Sequence, residues 1–350
     1  MPVKALALAL VVLAVGSASA GSAGSAACHS VALVSLRSGK VLKQLTHRLE
    51  QGVRGADAVP DGRGGWYVAG VGVVHVISDA RKDPSWRPHL STRRQVFGLT
   101  RAGGRLFVTD GYRVFAVSER TGRQLWVSAR IYNRPQIGVL AVAATASMVF
   151  VGGYLTEVGS QRRNALAALD ARNGRLLPWR HPPLVNYRGS PAVVAQLAVG
   201  AGRLYLGGGF IRVGGARRLG GVAAVTIRDG KPTPFAPYAY NRSSLVAARR
   251  LVLIGGPEGG GVFAGATGKR VLRETLLDRA SAIAVRGTIA YFGGDFRTTV
   301  GGDNLLAIDL RTGKLRTWFP RLANEVSVSM LALSGEKLFV GGAFCSSLGG

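Results

Sequence analysis

The sequence predicts an all-β chain, a propeller of seven four-stranded antiparallel sheets closed by its two ends, on three observations. A unit with several short apolar runs and Gly or Asn turns recurs along the chain, glycine pairs recur at the same place in it, and the two chain ends supply complementary halves of one unit. Apolar runs bounded by such turns indicate strands and hairpins. A four-stranded repeat of about 40 residues is typical of a propeller blade.

The unit is clearest in residues 139–181. Apolar runs at 139–144 and 148–153 predict two strands, the run at 165–170 predicts a third, and Asn173-Gly174 predicts the turn before a short fourth strand that closes at Trp179. Its paired glycines, Gly152-Gly153, recur at Gly207-Gly208, Gly293-Gly294 and Gly341-Gly342. Each recurrence follows an apolar run, so the pair belongs to the end of a strand.

Aligned on these features, the chain divides into six complete units and one that is split. The complete units are residues 53–88, 96–128, 139–181, 193–236, 245–275 and 281–319. A seventh begins at Val328 and stops after its second strand, while residues 29–45 read as the missing third and fourth strands. A closing sheet built from both ends leaves no free edge. Eight blades, or six, stay open where the units are least regular.

The first residues predict export. Lys4 precedes an apolar run at 5–15, and Ala18-Ser19-Ala20 fits a signal-peptidase site, so residues 1–20 read as a removable signal peptide. Residues 21–27 are a small-residue linker, and residues 28–350 are expected to form one propeller domain. We expect a secreted or extracytoplasmic monomer at the cell envelope. The apolar run is shorter than the roughly 20 residues that a membrane span needs, so we do not expect it to anchor the protein in a membrane.

Cys28 and Cys345 are the two cysteines of the chain, and each lies beside one half of the split unit. Exported proteins retain disulfides, so we expect a bridge that joins the two ends across the closing sheet. Lipid modification of Cys28 is the alternative.

The charge predicts anionic partners. Lysines and arginines number 45 against 18 acidic residues, a formal net charge of +27, and a field of that sign attracts polyanions in a salt-dependent way. Scattered surface arginines that serve solubility are the alternative interpretation. Nucleic acid is the weaker form of the polyanion hypothesis, because no nucleic-acid-reading motif occurs.

One face of the predicted propeller should carry tyrosine and arginine together. The links between units and the turns between second and third strands emerge on the same face, and they hold the candidate binding residues Tyr132, Arg134, Tyr187, Arg188, Tyr240, Arg242, Arg163 and Arg218. Guanidinium groups pair with carboxylate, phosphate or sulfate, and tyrosine offers a flat ring to sugars. This pattern predicts binding of an acidic polysaccharide or another polyanion, and solvated rim residues are the alternative.

Sequence signals for catalysis are missing. The five histidines lack zinc-site spacing, and neither a Gly-x-Ser-x-Gly motif nor an acidic calcium loop occurs. We therefore expect no catalytic residue, no metal and no cofactor, and a binding or scaffolding module rather than an enzyme.

The repeat resembles a known family. A Gly-Gly-x-Phe strand end, a Val-Gly-Gly turn, an Ala-x-x-Asp strand and a closing aromatic (Trp179, Phe235, Trp318) are similar to the quinoprotein (PQQ)-like repeats of secreted bacterial propellers. Trp126 resembles the docking tryptophan of such repeats, and we expect these aromatics to pack between blades. The resemblance implies a propeller, and for most such repeats no established activity.

Quinoprotein enzymes carry an adjacent cysteine pair over the cofactor and a carboxylate-rich calcium site, and this sequence has neither. A quinoprotein-like dehydrogenase, or a propeller lyase or hydrolase with its site in the central channel, is the alternative function.

The disulfide is directly testable. Because Cys28 and Cys345 should be paired in the exported chain, a thiol reagent added to purified, denatured and unreduced protein is expected to label neither cysteine, and to label both after reduction. Two reactive thiols before reduction would contradict the bridge.

Overall fold

The described part of the chain is built from antiparallel strands, and no α-helix occurs in it. The computed structural model describes residues 30–45, 57–70, 72–78, 83–92, 94–96, 98–132, 138–187, 190–218, 220–239, 244–256, 260–272, 277, 279–296, 304–318, 320 and 327–343. The predicted signal peptide, the linker and both cysteines lie outside these residues, so the export signal and the disulfide stay predictions.

Strands of the first half alternate with the predicted turns. They are β1 (Ser30–Ser35), β2 (Val41–Leu45), β3 (Ala58–Pro60), β4 (Trp66–Gly70), β5 (Gly72–Val76), β6 (Gly98–Ala102), β7 (Arg105–Thr109), β8 (Val114–Ser118), β9 (Gln124–Val127), β10 (Ile131–Tyr132), β11 (Val139–Ala144), β12 (Met148–Gly153), β13 (Glu157–Val158), β14 (Gln161–Arg162) and β15 (Leu166–Asp170).

The second half continues the pattern. Its strands are β16 (Leu184–Val185), β17 (Val193–Gly200), β18 (Arg203–Gly209), β19 (Arg212–Val213), β20 (Ala216–Arg217), β21 (Val222–Thr226), β22 (Ser244–Ala248), β23 (Leu251–Gly255), β24 (Gly261–Ala264), β25 (Arg270–Leu272), β26 (Ala280–Arg286), β27 (Ile289–Gly294), β28 (Leu305–Asp309), β29 (Ser327–Ser334) and β30 (Lys337–Ala343).

Within the described residues these strands form seven larger sheets that follow the predicted units. In strand order they are sheet 1 (β3-β4-β5), sheet 2 (β6-β7-β8-β9), sheet 3 (β11-β12-β15), sheet 4 (β17-β18-β21), sheet 5 (β22-β23-β24-β25), sheet 6 (β26-β27-β28) and sheet 7 (β29-β30-β1-β2). The inner strand of each sheet contacts the inner strand of the next, and β29 of sheet 7 contacts β3 of sheet 1. A closed seven-membered ring requires these contacts.

Sheet 7 combines the two ends of the chain, as the sequence predicts. Strand β1 pairs antiparallel with β30, with Ala32 opposite Val340 and Leu33 opposite Phe339. The N-terminal strand is packed on both faces, because Ala32 and Val34 lie in an apolar cluster with sheet 6, and Val31 and Leu33 lie in another with sheet 1. The first strand of the described chain is therefore as buried as an interior strand.

The fourth strand differs from the prediction in four sheets, since sheet 1 has only three strands among the described residues and sheets 3, 4 and 6 lack a full fourth strand. In sheets 3, 4 and 6 a single bridge replaces it, joining Leu169 to Leu176, Val225 to Pro232 and Ile308 to Leu315. A proline lies in or just after each of these segments (Pro178, Pro232 and Pro320). Proline cannot donate to a ladder. The fourth strands of sheets 2, 5 and 7 contain no proline and are fully paired.

The repeated glycine pairs are explained by close approach between sheets. A methyl group on Gly152 would lie 2.6 Å from Val194 Cγ1 in the next sheet. The second glycine of the pair, Gly153, faces the carbonyl of Gly138 beside a β-bulge in strand β11, and Gly208 faces the carbonyl of Val193 in the same way. The first glycine makes room for the next sheet, as Gly293 also does for Val328, and the second makes room for the bulged first strand of its own sheet.

Aromatic side chains join consecutive sheets, as expected. Each reaches the backbone just past, or at the end of, the third strand of the next sheet: Trp126 Nε1 donates to Ala171 O (3.1 Å), Trp179 Nε1 to Ile227 O (2.9 Å) and Trp318 Nε1 to Ser35 O (3.0 Å). Phe235 occupies the same position in sheet 4 but has no donor. There the hydroxyl of Tyr205, whose ring centroid lies 4.9 Å from that of Phe235, donates to Gly265 O instead.

The docked tryptophan explains the glycine of the turn that receives it. Gly174 has φ +73°, and a methyl group there would lie 2.5 Å from Trp126 Cε3. Gly202 has nearly the same backbone, φ +72°, but its missing methyl would meet nothing within 4 Å. Substitutions at these two positions can therefore separate the cost of a left-handed backbone from the cost of displacing the docked tryptophan ring.

We expect Gly174→Ala to destabilise the protein more than Gly202→Ala. Both variants carry the left-handed backbone cost of about 1–2 kcal/mol, and only Gly174→Ala adds an overpacking cost of about 1–3 kcal/mol. Urea unfolding followed by tryptophan fluorescence measures both. Equal losses in the two variants would contradict docking of Trp126 on this turn.

Candidate functional site

Two small sheets cover one face of the ring. Strand β10, in the link after sheet 2, pairs with the β13-β14 hairpin of sheet 3, with Tyr132 opposite Glu157. Strand β16, in the link after sheet 3, pairs with the β19-β20 hairpin of sheet 4, with Val185 opposite Arg212. Links and hairpins between second and third strands therefore share one surface, which we name the link face. The turns between first and second and between third and fourth strands form the opposite turn face.

The tyrosines divide cleanly between the sheets and the link face. Tyr67, Tyr205 and Tyr291 are buried in strands. The other described tyrosines, which are Tyr112, Tyr132, Tyr154, Tyr187 and Tyr238, all lie in links or in turns between second and third strands. Tyr187 is 65% exposed and Tyr238 is 61% exposed, so the link face offers open aromatic rings.

Arg163 and Arg218 occupy equivalent positions and make equivalent contacts. Their Nη1 atoms donate to the carbonyls of Arg162 and Arg217, both at 2.8 Å, and their Nη2 atoms donate to Leu177 O (3.2 Å) and Thr233 O (3.1 Å). Burial lowers the pKa of both side chains. They hold each hairpin against the outer segment of its own sheet, and their part in binding stays a prediction.

Four of the predicted binding residues, Arg134, Arg188, Tyr240 and Arg242, lie outside the described residues. Tyr132 is half-buried at the edge of its small sheet and Tyr187 is exposed in the following link. The structure thus places the described members of the predicted set, which are Tyr132, Tyr187, Arg163 and Arg218, on one face, across the neighbouring sheets 2 to 4.

Sequence reasoning missed a cluster on this face beside Tyr132. The guanidinium carbon of Arg94 lies 4.9 Å from the ring centroid of Tyr112, and that of Arg130 lies 5.1 Å from Tyr112 and 5.4 Å from Tyr132. These residues come from two links and one turn. Only Arg130 and Tyr132 are close in sequence, so no single motif contained the cluster.

The ion pairs recorded among the described residues all lie on the turn face. They involve Asp61, Asp83, Glu119, Asp170, Asp229 and Glu336 with His75, Arg101, Arg172, Lys231 and Arg286. Lysine and arginine side chains lie on both faces. The described arginines of the link face, however, have no carboxylate within 4.0 Å among these residues, so their charge is not neutralised by ion pairing.

His75 forms the most compact ionisable cluster on the turn face. Its Nε2 lies 2.9 Å from Asp61 Oδ2 and its Nδ1 lies 2.8 Å from Asp83 Oδ2. A neutral imidazole has one N–H, so only the protonated ring can donate to both carboxylates. Tyr67 stacks on the imidazole with ring centroids 4.7 Å apart. No signal in the sequence indicated this cluster, because Asp61 and Asp83 are separated from His75 by fourteen and eight residues.

Both carboxylates of this cluster are shifted toward the charged form. Hydrogen bonds from Ser85 and His75 lower the pKa of Asp83 to about 2. Burial works to raise the pKa of Asp61, but hydrogen bonds from His75 and from the N–H groups of Arg63 and Gly65 outweigh it and lower the pKa. The cluster ties the turn at Asp61 to the segment that leads into Trp86.

The donor set for a quinone cofactor and its calcium is not present in the described ranges. There, no three His, Cys, Asp or Glu side chains are grouped so that they could hold a metal ion. The carboxylate-rich site of the quinoprotein enzymes therefore does not fit the described residues, and we derive no chemical step through a quinone.

Consecutive antiparallel sheets joined by docked aromatics define the protein as a β-propeller of PQQ-like repeats. The family model described as outer membrane protein assembly factor BamB matches residues 28–254, more than half of the sequence, and the chain belongs to this family. The resemblance seen in the repeats is thus confirmed. No curated protein matches the chain.

Two of the similar solved structures, the designed Ika8 protein and the Pan2 WD40 domain, agree with this fold. The computationally designed Ika8 protein has a TM-score of 0.55 and 14% identity, over 80% of this chain and 78% of that chain. The WD40 domain of Neurospora crassa Pan2 has a TM-score of 0.55 and 12% identity, over 91% and 96%. BamB from Moraxella catarrhalis is 15% identical over 89% and 91%, with a TM-score of 0.47. Among the described residues no helix is long and apolar enough to cross a membrane.

The His75 cluster predicts a pH-dependent contribution to stability. The pKa of Asp83 is about 2 in the folded protein and about 3.9 in an unfolded chain. A lowered folded pKa stabilises the fold above the unfolded value, and this contribution is lost as the pH falls through the folded value.

The free-energy difference between wild type and Asp83→Asn is expected to shrink as the pH falls from about 4 to 2. Urea unfolding across that range measures it. Ser85→Ala should reduce the pH-dependent part, because it removes the hydrogen bond that lowers the Asp83 pKa most. A difference that does not vary with pH would contradict the lowered pKa.

Proposed function

We propose that this protein is a non-catalytic, exported propeller module that binds an anionic envelope or extracellular polymer through its link face. It would act as a binding or scaffolding component at the cell envelope. The family description, an outer membrane protein assembly factor, supports a role in assembly at the envelope. The signal peptide that the proposal requires is a prediction from residues 1–20.

The observation that carries the proposal is the placement of tyrosines on the same face as arginines that have no carboxylate within 4.0 Å among the described residues. Every described tyrosine outside the buried strands lies on the link face. The same surface carries the exposed Arg162, Arg212 and Arg217, and the ion pairs among the described residues lie on the other face. A surface with open rings and unpaired guanidinium groups can bind a polymer that alternates sugar rings with anionic groups.

The physical basis is charge-assisted hydrogen bonding over an extended surface. A guanidinium group presents a planar fork of donors that matches carboxylate, phosphate and sulfate. At an exposed site each pair contributes little, and salt screens it. Affinity for a polymer would therefore come from several contacts made by one chain along the face.

The function predicts loss of binding when link arginines are removed. Replacing Arg134, Arg188 and Arg242 together by Ala should weaken binding to an acidic polysaccharide by about tenfold or more, since each lost charge-assisted contact is worth about 0.5 kcal/mol or more at an exposed site. Biolayer interferometry on immobilised polygalacturonate at low and physiological salt measures the effect.

The matched control is Arg120, Arg172 and Arg311 replaced together by Ala, because these exposed arginines lie in turns between third and fourth strands on the opposite face. It has the same net charge as the test variant and should retain binding. A wild-type protein that binds neither acidic polysaccharide nor another polyanion would refute the proposed function.

A further inference from the structure

The Arg94, Tyr112, Arg130 and Tyr132 side chains form an alternating stack on the link face, which we name the Arg–Tyr stack. Guanidinium carbons lie 4.9 and 5.1 Å from the Tyr112 ring centroid, and Arg130 lies 5.4 Å from the ring of Tyr132. Both arginines are exposed and both tyrosines are half-buried. At these distances the guanidinium groups make cation–π contacts with the rings, and a guanidinium group carries N–H donors that match an oxyanion.

Backbone and side-chain hydrogen bonds hold together the chain segments that carry the Arg–Tyr stack. Asp110 Oδ1 accepts from the N–H groups of Tyr112 (3.0 Å) and Arg113 (2.9 Å), and its Oδ2 accepts from the Thr92 hydroxyl (2.9 Å). The Thr92 hydroxyl also accepts from the Arg94 N–H at 3.2 Å. Ile131 N–H donates to Tyr112 O at 2.7 Å. Three separate segments, the two links and the turn between β7 and β8, are thus joined into one preorganised surface.

The charge of the stack is not cancelled by a neighbouring acid. Asp110 is buried, its Oδ1 accepts from N–H groups of the turn, and its Oδ2 accepts from the Thr92 hydroxyl of the preceding link. Glu157 is opposite Tyr132 in the small sheet but forms no ion pair within the described residues. Arg94 and Arg130 have no carboxylate within 4.0 Å in this part of the chain. An external oxyanion would supply the carboxylate-like partner that these two guanidinium groups do not have among the described residues.

We infer that the Arg–Tyr stack is a specific subsite for the oxyanion groups of an acidic glycan, carboxylated or sulfated. This inference rests on the proposed function and names the residues that perform it. Two guanidinium groups over Tyr112 leave little ring face for a nucleobase, which argues against single-stranded nucleic acid as the ligand. Tyr187 lies one sheet further along the same face with an open ring that a sugar can cover.

The experiment compares two double variants of the full chain with the same net charge. Arg94→Gln/Arg130→Gln removes the cations of the stack, and Arg120→Gln/Arg228→Gln removes two exposed cations from the turn face. Isothermal titration uses a short oligogalacturonate and a sulfated dextran oligomer, with inorganic polyphosphate and a single-stranded oligonucleotide as competitors. Thermal unfolding of each variant checks that the fold is retained.

The stack double variant is expected to bind the acidic oligosaccharides at least about tenfold more weakly than wild type, while the turn-face variant changes affinity by no more than about twofold. Tyr112→Phe should bind as wild type because it keeps the ring, and Tyr112→Leu should lose affinity. Glu157→Gln should bind more tightly, since it removes an acidic side chain from the position paired with Tyr132 in the small sheet.

Equal weakening in the two double variants would overturn the subsite while leaving a charge-driven function of the whole protein intact. Absence of binding by wild type would instead refute the proposed function. Tighter binding of the oligonucleotide or of polyphosphate than of either glycan would overturn the ligand class.

Discussion

The pairing of strand β1 with strand β30 is the constraint on which the rest of the structure depends. Antiparallel sheets have unpaired N–H and C=O groups at their edges, and a ring of sheets removes the exposed ends only if its last sheet is completed by the first strand of the chain. Here Ala32 lies opposite Val340 and both are fully buried. The sheet that holds the two ends packs against sheet 1 on one side and sheet 6 on the other. Contacts between all neighbouring inner strands follow from this arrangement.

Docking of aromatic side chains then sets the distance between neighbouring sheets. A tryptophan at the end of one sheet donates its indole N–H to a carbonyl at the end of the next, and a glycine with positive φ in the receiving turn makes room for the ring. Phe235 shows that the packing and the hydrogen bond are separable, because Tyr205 supplies the donor where phenylalanine cannot. The same geometry is thus reached with two different residue pairs.

The ring also decides where exposed chemistry can lie. Residues at strand ends must emerge on one of two faces, and the links of sheets 2 and 3 are further held there by pairing with the next hairpin. Carboxylates of the described turns between third and fourth strands are used locally, as when Asp170 accepts from the N–H of Arg172 at 2.6 Å. The link face has the tyrosines and the arginines without such partners. The surface proposed to bind a polyanion is therefore a consequence of topology as much as of composition.

The sequence by itself determined the repeat, the turns and the pairing of the two ends. These features depend on local patterns, such as Asn173-Gly174 or Gly152-Gly153, whose spacing is set by strand length and turn geometry. It also predicted that links and hairpins share a face, because strand direction alternates. The weak fourth strands of sheets 3 and 4 could have been anticipated from Pro178 and Pro232, since each removes a ladder donor.

Which side chains contact one another is visible only in the tertiary structure. His75 lies between Asp61 and Asp83, and Arg94 lies over Tyr112, although these partners are separated by eight to eighteen residues of irregular spacing. The internal contacts of Arg163 and Arg218 were equally invisible, because a surface arginine and one that braces a hairpin look alike in sequence. Such contacts depend on how separate segments converge in space, and no periodic pattern in one segment encodes that convergence.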